Sequence, residues 1–70
     1  MTELKAQMAG TVFEVSVKEG EEVTVGQTVI ILESMKMEIP VEAERAGRIT
    51  KIYVVEGDFV DEESLLVRID

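Results

Sequence analysis

The sequence predicts an all-β domain, and three observations support this prediction. Val and Ile far outnumber Leu and Ala, and β-branched side chains fit pleated, half-buried surfaces better than helices. Apolar and polar residues alternate in several short stretches, as in strands with one buried face. The chain also contains two similar copies of a glycine-bounded segment, which indicates two similar structural units. We expect one domain over residues 1–70, because 70 residues suffice for only one small core.

Three stretches show the alternation of a strand clearly, namely residues 13–17, 38–42 and 51–55. The glycine-containing, acidic segments between such stretches read as turns. Pro40 lies inside the second stretch, and proline cannot donate a hydrogen bond to a neighbouring strand. We therefore expect Pro40 on an edge strand or at a bulge.

The two copies of the repeat are residues 10–20 and 47–57. Each begins with Gly, has aliphatic residues at its third, sixth and eighth positions, and ends with Glu-Gly. The third and sixth positions cannot share one face of a regular strand, so we predict a bulge or a strong twist near Phe13-Glu14 and near Thr50-Lys51. Two similar halves predict two similar sheets, related by a pseudo-twofold axis and packed face to face. The equivalent aliphatic residues are Val12 and Ile49, Val15 and Ile52, Val17 and Val54, Val23 and Val60, Val29 and Leu66, and Leu32 and Ile69.

The absence of Cys and His restricts the possible chemistry. Without them there is no disulfide, no Ser-His or Cys-His nucleophile pair, and no good ligand set for zinc or copper. Paired carboxylates remain possible, but acid–base catalysis needs an enclosing pocket, and a domain this small has little interior beyond its core. We therefore expect neither catalytic residues nor a metal site.

The formal net charge of −8 argues against binding to nucleic acid or to an anionic membrane surface. The longest aliphatic run, residues 29–32, is far too short to cross a bilayer. Residues 1–20 contain no basic region followed by an apolar stretch, so no signal peptide is predicted. We expect a monomeric protein in the cytoplasm, or in an organelle after removal of a transit sequence.

The repeat does not explain the segment between its copies, Glu33-Ser34-Met35-Lys36-Met37-Glu38. Aliphatic residues flank it on both sides, which predicts two strands joined as a β-hairpin. Tight hairpin turns place their central residues at positive φ, which is unfavourable for long side chains, and no Asn-Gly or Asp-Gly is present. A lysine in a surface turn is most often simply solvated. The repeat, however, places this hairpin on its axis, which favours a functional amine at Lys36.

The same segment resembles the Glu-Ala-Met-Lys-Met signature of biotinyl domains, the carriers of biotin-dependent carboxylases. Ser34 replaces the more usual Ala. The surrounding glycine frame also resembles that family, with residues 10–20 before the segment, Gly26-Gln27 midway and residues 47–57 after it. In size the chain is similar to short stand-alone biotin/lipoyl attachment proteins that lack a thumb insertion. The resemblance implies a flattened barrel, or barrel-sandwich hybrid, of two four-stranded antiparallel sheets.

The resemblance also implies a carrier that performs no catalysis itself. A biotin protein ligase would activate biotin as its adenylate, and the Lys36 ε-amine would attack the adenylate to form an amide. The biotinyl arm would then carry a carboxyl group between biotin carboxylase and carboxyltransferase subunits. By the same resemblance the residues around the lysine are expected to serve in recognition by partners. These residues are Glu33, Ser34, Met35, Met37 and Glu38.

Three alternatives remain open at this stage. Lipoyl carriers share the hairpin and its lysine but typically have Asp before the lysine and Ala after it, so Met35 and Met37 favour biotin over lipoate. A second alternative is an unmodified β-barrel that serves as an interaction module. The third is a small enzyme using carboxylates such as Glu33 and Glu38, which would face each other across the hairpin.

Overall fold

The chain forms eight β-strands, which confirms the predicted all-β class. A computed structural model describes residues 2–70, and that part of the chain contains no helix. It therefore also contains no helix long and apolar enough to cross a membrane. The strands are β1 (Thr2–Lys5), β2 (Gly10–Val15), β3 (Glu22–Val23), β4 (Thr28–Ser34), β5 (Met37–Glu42), β6 (Gly47–Ile52), β7 (Phe59–Val60) and β8 (Leu65–Ile69).

The strands form two four-stranded antiparallel sheets. The first sheet has the order β1-β8-β6-β3 and the second has the order β5-β4-β2-β7. The repeat period is 37 residues, from Gly10 to Gly47. Exchanging each strand with its repeat equivalent converts one sheet order into the other, as the predicted pseudo-twofold relation requires. Each sheet, however, takes two strands from the half β1–β4 and two from the half β5–β8, so the halves interleave and neither half forms a sheet by itself.

Both predicted bulges are present and lie at equivalent positions. In the pairing of β2 with β4 the register shifts between Val12 and Glu14. In the pairing of β6 with β8 it shifts between Ile49 and Lys51. Each extra residue lets the strand turn aliphatic side chains toward the core on both sides of the irregularity, with Val12 and Ile49 buried and Val15 and Ile52 partly buried. Pro40 lies on β5, an edge strand of the second sheet, as its missing N–H predicted.

The core lies between the two sheets and is purely apolar over residues 2–70. Its largest fully buried side chains include the equivalent pairs Leu32 with Ile69 and Val29 with Leu66. Each fully buried aliphatic side chain stabilises the fold by about 1.5–3 kcal/mol relative to exposure. Ala6 and Ala43, also one period apart, are both buried, which extends the repeat beyond the predicted copies. Because both sheets contribute apolar side chains to one core, burial of these side chains stabilises a chain that has no disulfides.

Candidate functional site

The candidate site is the hairpin that joins β4 to β5 in the second sheet. Ser34 pairs with Met37, and Glu33 pairs with Glu38, so a two-residue turn connects the strands. Met35 and Lys36 form the turn with φ values of 53° and 66°. Two successive positive φ values match the right-handed twist of the flanking strands. The predicted tight hairpin is therefore confirmed, and it is built from two long side chains rather than from Asn-Gly.

The turn presents three long side chains to solvent. The exposed fraction is 90% for Met35 and 65% for Met37, and Lys36 is also exposed. Over residues 2–70, no hydrogen bond or ion pair engages the Lys36 side chain. The methionines are flexible and polarisable, so they suit contact with other molecules better than they suit water. The structure thus displays an accessible primary amine between two apolar side chains.

The residues flanking the turn place two like charges opposite each other. Glu33 and Glu38 are both exposed and face one another across the hairpin, while Ser34 is half-buried at the base of the turn. Like charges directly opposite each other destabilise an antiparallel pair. The hairpin therefore combines an unfavourable backbone conformation with an unfavourable charge pair. Both costs indicate that the sequence here is retained for a purpose other than stability.

Gly10 lies under the base of this hairpin and allows a close approach between strands. A Cβ atom at Gly10 would stand 2.8 Å from the carbonyl oxygen of Glu33 and 3.5 Å from the Cβ of Ser34. Only glycine lets β2 run this close to the end of β4. Sequence analysis treated Gly10 as part of the repeat frame and did not connect it with the hairpin.

The sheet also places two residues beside the site that sequence analysis did not single out. Thr11 pairs with Glu33 on one side and with Phe59 on the other. Glu38, Glu33, Thr11 and Phe59 therefore form one exposed row across all four strands of the second sheet. The signal in the sequence was that Phe59 occupies the repeat position of Glu22. Because the equivalent position in the first half carries an exposed charged residue, the core does not require an aromatic side chain at Phe59.

The geometry is suited to acylation of the lysine amine. A prosthetic acid can form an amide with Lys36 only if the Nζ atom projects beyond the surrounding surface, and a two-residue turn at the end of a hairpin meets that condition. The two methionines can then cover the apolar part of an attached arm. The residues present therefore fit a covalently bound acyl group such as biotin.

Catalysis by the two glutamates finds little support in the geometry. Glu33 and Glu38 lie on an open surface, whereas acid–base catalysis depends on enclosure. A groove of about 620 Å³ lies between the edge strands β1 and β5, and neither glutamate is in its lining. The arrangement can display a side chain to a partner, and it does not enclose a substrate.

Comparison with known sequences identifies close relatives. The family model described as "Biotin-requiring enzyme" matches residues 2–69. The chain is 49% identical to a biotin/lipoyl attachment protein of Bacillus subtilis, over 90% of this chain and 86% of that protein. It is 41% identical to a biotinylated protein TB7.3 homologue of Mycobacterium leprae, over 91% of this chain and 90% of that protein.

Comparison with solved structures supports the same relationship. The urea carboxylase of Kluyveromyces lactis contains a region that superposes with a TM-score of 0.93 at 32% sequence identity. That alignment spans 99% of this chain but only 6% of the carboxylase. The strands, the core and the hairpin thus recur within a much larger enzyme. From the family match and the end-to-end similarity to small attachment proteins, it follows that this chain belongs to the biotin/lipoyl family of biotin-requiring enzymes.

Proposed function

We propose that this chain is a non-catalytic carrier that receives biotin as an amide on Lys36. The observation that carries the proposal is the exposed amine at the tip of a hairpin whose turn residues lie at positive φ. Family membership supports biotin as the group that is attached. We assign the recognition of the attachment site to Glu33, Ser34, Met35, Met37 and Glu38, which surround the lysine.

The residues of the chain hold and present the attached group. The paired strands β4 and β5 fix the direction in which Lys36 projects, and the buried Leu32 anchors the base of the hairpin. When bound, biotin supplies a ring nitrogen that can carry a carboxyl group. Tethering raises the effective concentration of that group at a partner's active site above that of a free cofactor. The carrier therefore contributes position and reach.

The proposed partners follow from the same function. A biotin protein ligase would form the amide, and biotin carboxylase and carboxyltransferase subunits would use the attached arm. The similarity to a region of a urea carboxylase supports partners of the carboxylase class. We further propose a single domain over residues 1–70 that works as a cytoplasmic monomer. Shared burial of residues from Leu4 to Ile69 in one core supports the single domain.

Lipoate is the second candidate for the attached group. The Bacillus subtilis relative is named as an attachment protein for biotin or lipoate, and the same exposed lysine would serve either acid. The methionines on both sides of Lys36 favour biotin. The two candidates differ only in the acyl group, so a mass measurement separates them.

The test is co-expression of the full chain with a biotin protein ligase and a lipoate ligase, followed by intact mass spectrometry. We expect one biotinyl group per chain, located on Lys36 by peptide mapping, and no adduct in the Lys36→Arg variant. A lipoyl adduct alone would reverse the order of the two candidates. An unmodified chain, in these cells and in the native host, would instead favour an interaction module.

A further inference from the structure

The two outer faces of the sandwich differ strongly, although the repeat makes their backbones equivalent. We term the outer surface of the second sheet the hairpin face, formed by Thr11, Phe13, Glu14, Ile31, Pro40 and Phe59. The residues one period away on the first sheet form the terminal face, and in the same order they are Arg48, Thr50, Lys51, Arg68, Glu3 and Glu22. Since the two sheets have equivalent backbones, the fold does not require their outer side chains to differ.

The terminal face places acidic and basic side chains on neighbouring strands. Arg48 Nε lies 3.9 Å from Glu22 Oε2 across the pair of β6 with β3. Arg68 Nε donates a hydrogen bond of 3.3 Å to Thr50 Oγ1. Glu3 also pairs with Arg68 across β1 and β8, although Arg68 pairs in turn with Lys51, which carries a like charge. This is the pattern of a solvated surface stabilised by cross-strand pairs.

The hairpin face has exposed aromatic residues and, within residues 2–70, acids that form no ion pair. Phe59 is 67% exposed and Phe13 is 48% exposed. Three acids, Glu14, Glu33 and Glu38, lie on the same face, and none of them forms an ion pair within residues 2–70. Exposed aromatic side chains surrounded by polar residues mark interaction sites, and aromatic residues supply much of the binding energy of interfaces.

The hairpin face is continuous with the attachment site. The row from Glu38 through Glu33 and Thr11 to Phe59 begins two residues beyond the turn residues and crosses the sheet. With strands about 4.8 Å apart, Phe59 lies roughly 10 Å across the sheet from Glu33. A protein of ordinary interface size that takes Lys36 into its active site would cover this distance easily. The terminal face has no such connection with the turn.

The charges on the hairpin face also select the kind of partner. Its uncompensated acids would meet like charges in a symmetric contact between two copies of this chain, which disfavours self-association. They would meet opposite charges on a basic surface, which accelerates encounter. The exposed aromatic ring of Phe59 needs an apolar pocket within that basic surface.

We infer that the hairpin face is the docking surface for the enzyme that acylates Lys36, a protein with Lys or Arg residues around an apolar pocket that receives Phe59. This inference rests on the proposed function and adds the surface by which the loading enzyme recognises its substrate. In this arrangement the enzyme contacts the outer surface of the second sheet as well as the hairpin. The equivalent residues of the first sheet remain in water during loading.

The test compares two substitutions at equivalent positions of the repeat, Phe59→Ser and Glu22→Ser. Both residues are exposed and begin two-residue strands, so each variant removes a side chain from the same backbone environment. The rate of biotin transfer to the full chain would be measured with purified biotin protein ligase, ATP and biotin at varied carrier concentration. We expect Phe59→Ser to lower kcat/KM by about tenfold or more through KM, and Glu22→Ser to change it less than about twofold.

A second matched pair tests the charges, Glu14→Lys against Lys51→Glu. We expect the first to slow loading by several-fold at low salt and the effect to shrink as salt rises, because the steering charges are screened. We expect the second to leave loading unchanged. Thermal unfolding of all four variants would establish that each is folded.

The outcomes separate the inference from the proposed function. If the wild-type chain is never biotinylated on Lys36, the proposed function fails and the inference falls with it. If the wild-type chain is loaded but Phe59→Ser behaves like Glu22→Ser, the inference alone is overturned. It is equally overturned if Phe59→Ser loads normally and loses only its use by a carboxylase. A wild-type dimer that Phe59→Ser converts to monomer would assign the face to a second copy of the chain.

Discussion

Four turns of this protein are stabilised by the same pair of hydrogen bonds, one between backbone groups and one to a side chain. The hairpin turn lacks the side-chain bond. The four, termed the bridged turns, span residues 18–21, 24–27, 55–58 and 61–64. In each, the backbone N–H of the fourth residue donates to the carbonyl of the first. The backbone N–H of the first residue donates in return to the side chain of the fourth. These side chains belong to Glu21, Gln27, Asp58 and Ser64.

The hairpin turn differs from most of the bridged turns in its positive-φ residues, and from all four in its side-chain hydrogen bonds. Three of the bridged turns have glycine at their positive-φ position, whereas the hairpin turn places Met35 and Lys36 there. Over residues 2–70, no side-chain hydrogen bond involves Met35 or Lys36. Three of the four bridged turns thus combine glycine at positive φ with a bridging side chain, and the fourth has the bridging side chain. The exception is the turn whose side chains have another use.

The largest expected effect comes from replacing the two turn residues of the hairpin with Asn-Gly, the pair that is most favourable at two positive φ values. We expect the double variant Met35→Asn with Lys36→Gly to lose biotinylation completely, because no amine remains at the tip. We also expect its free energy of unfolding to rise by about 1–2 kcal/mol, since long side chains are removed from positive φ. Urea denaturation and intact mass spectrometry would measure the two effects.

The control for this variant creates an Asn-Gly pair in a bridged turn by Glu56→Asn. Glu56 is not among the positive-φ residues, so we expect no gain in stability and unchanged loading of Lys36. A double variant less stable than wild type would show that the hairpin turn is not under conformational strain, and the comparison would fail.

The next effect comes from replacing the positive-φ glycine of a bridged turn with a residue that has a side chain. We expect Gly57→Ala, at a φ of 96°, to lower the free energy of unfolding by about 1–2 kcal/mol, because an L-residue is disfavoured in the left-handed region. Loading of Lys36 should persist in the folded fraction. The measurement is urea denaturation with a parallel biotinylation assay.

Lys36→Ala is the matched substitution in the hairpin. Here one L-residue replaces another at positive φ, so we expect a change in stability of less than about 0.5 kcal/mol together with complete loss of modification. Loss of folding in Lys36→Ala would contradict the exposed position of this side chain at the tip.

The smallest expected effect concerns the one bridged turn without glycine. Glu63 has a φ of 75° and occupies the repeat position of Gly26. We expect Glu63→Gly to stabilise the protein by about 0.5–1 kcal/mol, because relief of the left-handed conformation outweighs the greater freedom of glycine in the unfolded chain. Chemical denaturation would detect the shift. A destabilised Glu63→Gly would show that the Glu63 side chain contributes contacts that outweigh its backbone cost.

Much of the fold and the centre of the site were predictable because they are local or periodic properties of the chain. Alternation located the strands, and the spacing of Val12 from Val15 predicted a bulge or a strong twist, of which the structure has the bulge. The missing N–H placed Pro40 at an edge, and the absence of turn residues marked Met35 and Lys36 as unusual. These inferences need only backbone sterics and the period of a strand.

The interleaving of the two halves was not predictable in the same way. A repeat indicates that two units are similar, but it does not state which strands pair, since pairing depends on contacts between residues far apart in sequence. The prediction of two similar sheets was confirmed, whereas the mixed origin of each sheet came from the observed pairing. The row that joins Glu33 to Phe59 is a consequence of that pairing.

The sequence by itself determined that this protein is an all-β domain with a lysine at a strained hairpin turn. Strand period, glycine placement and turn residues depend only on residues that are close together in the sequence. Only the tertiary structure decided what surrounds that lysine. The pairing of β2 with both β4 and β7 places Thr11 and Phe59 beside the hairpin, and burial leaves Phe59 exposed while the residue next to it, Val60, is buried. Side chains distant in sequence become neighbours only when the sheet aligns their strands, and no local pattern encodes that alignment.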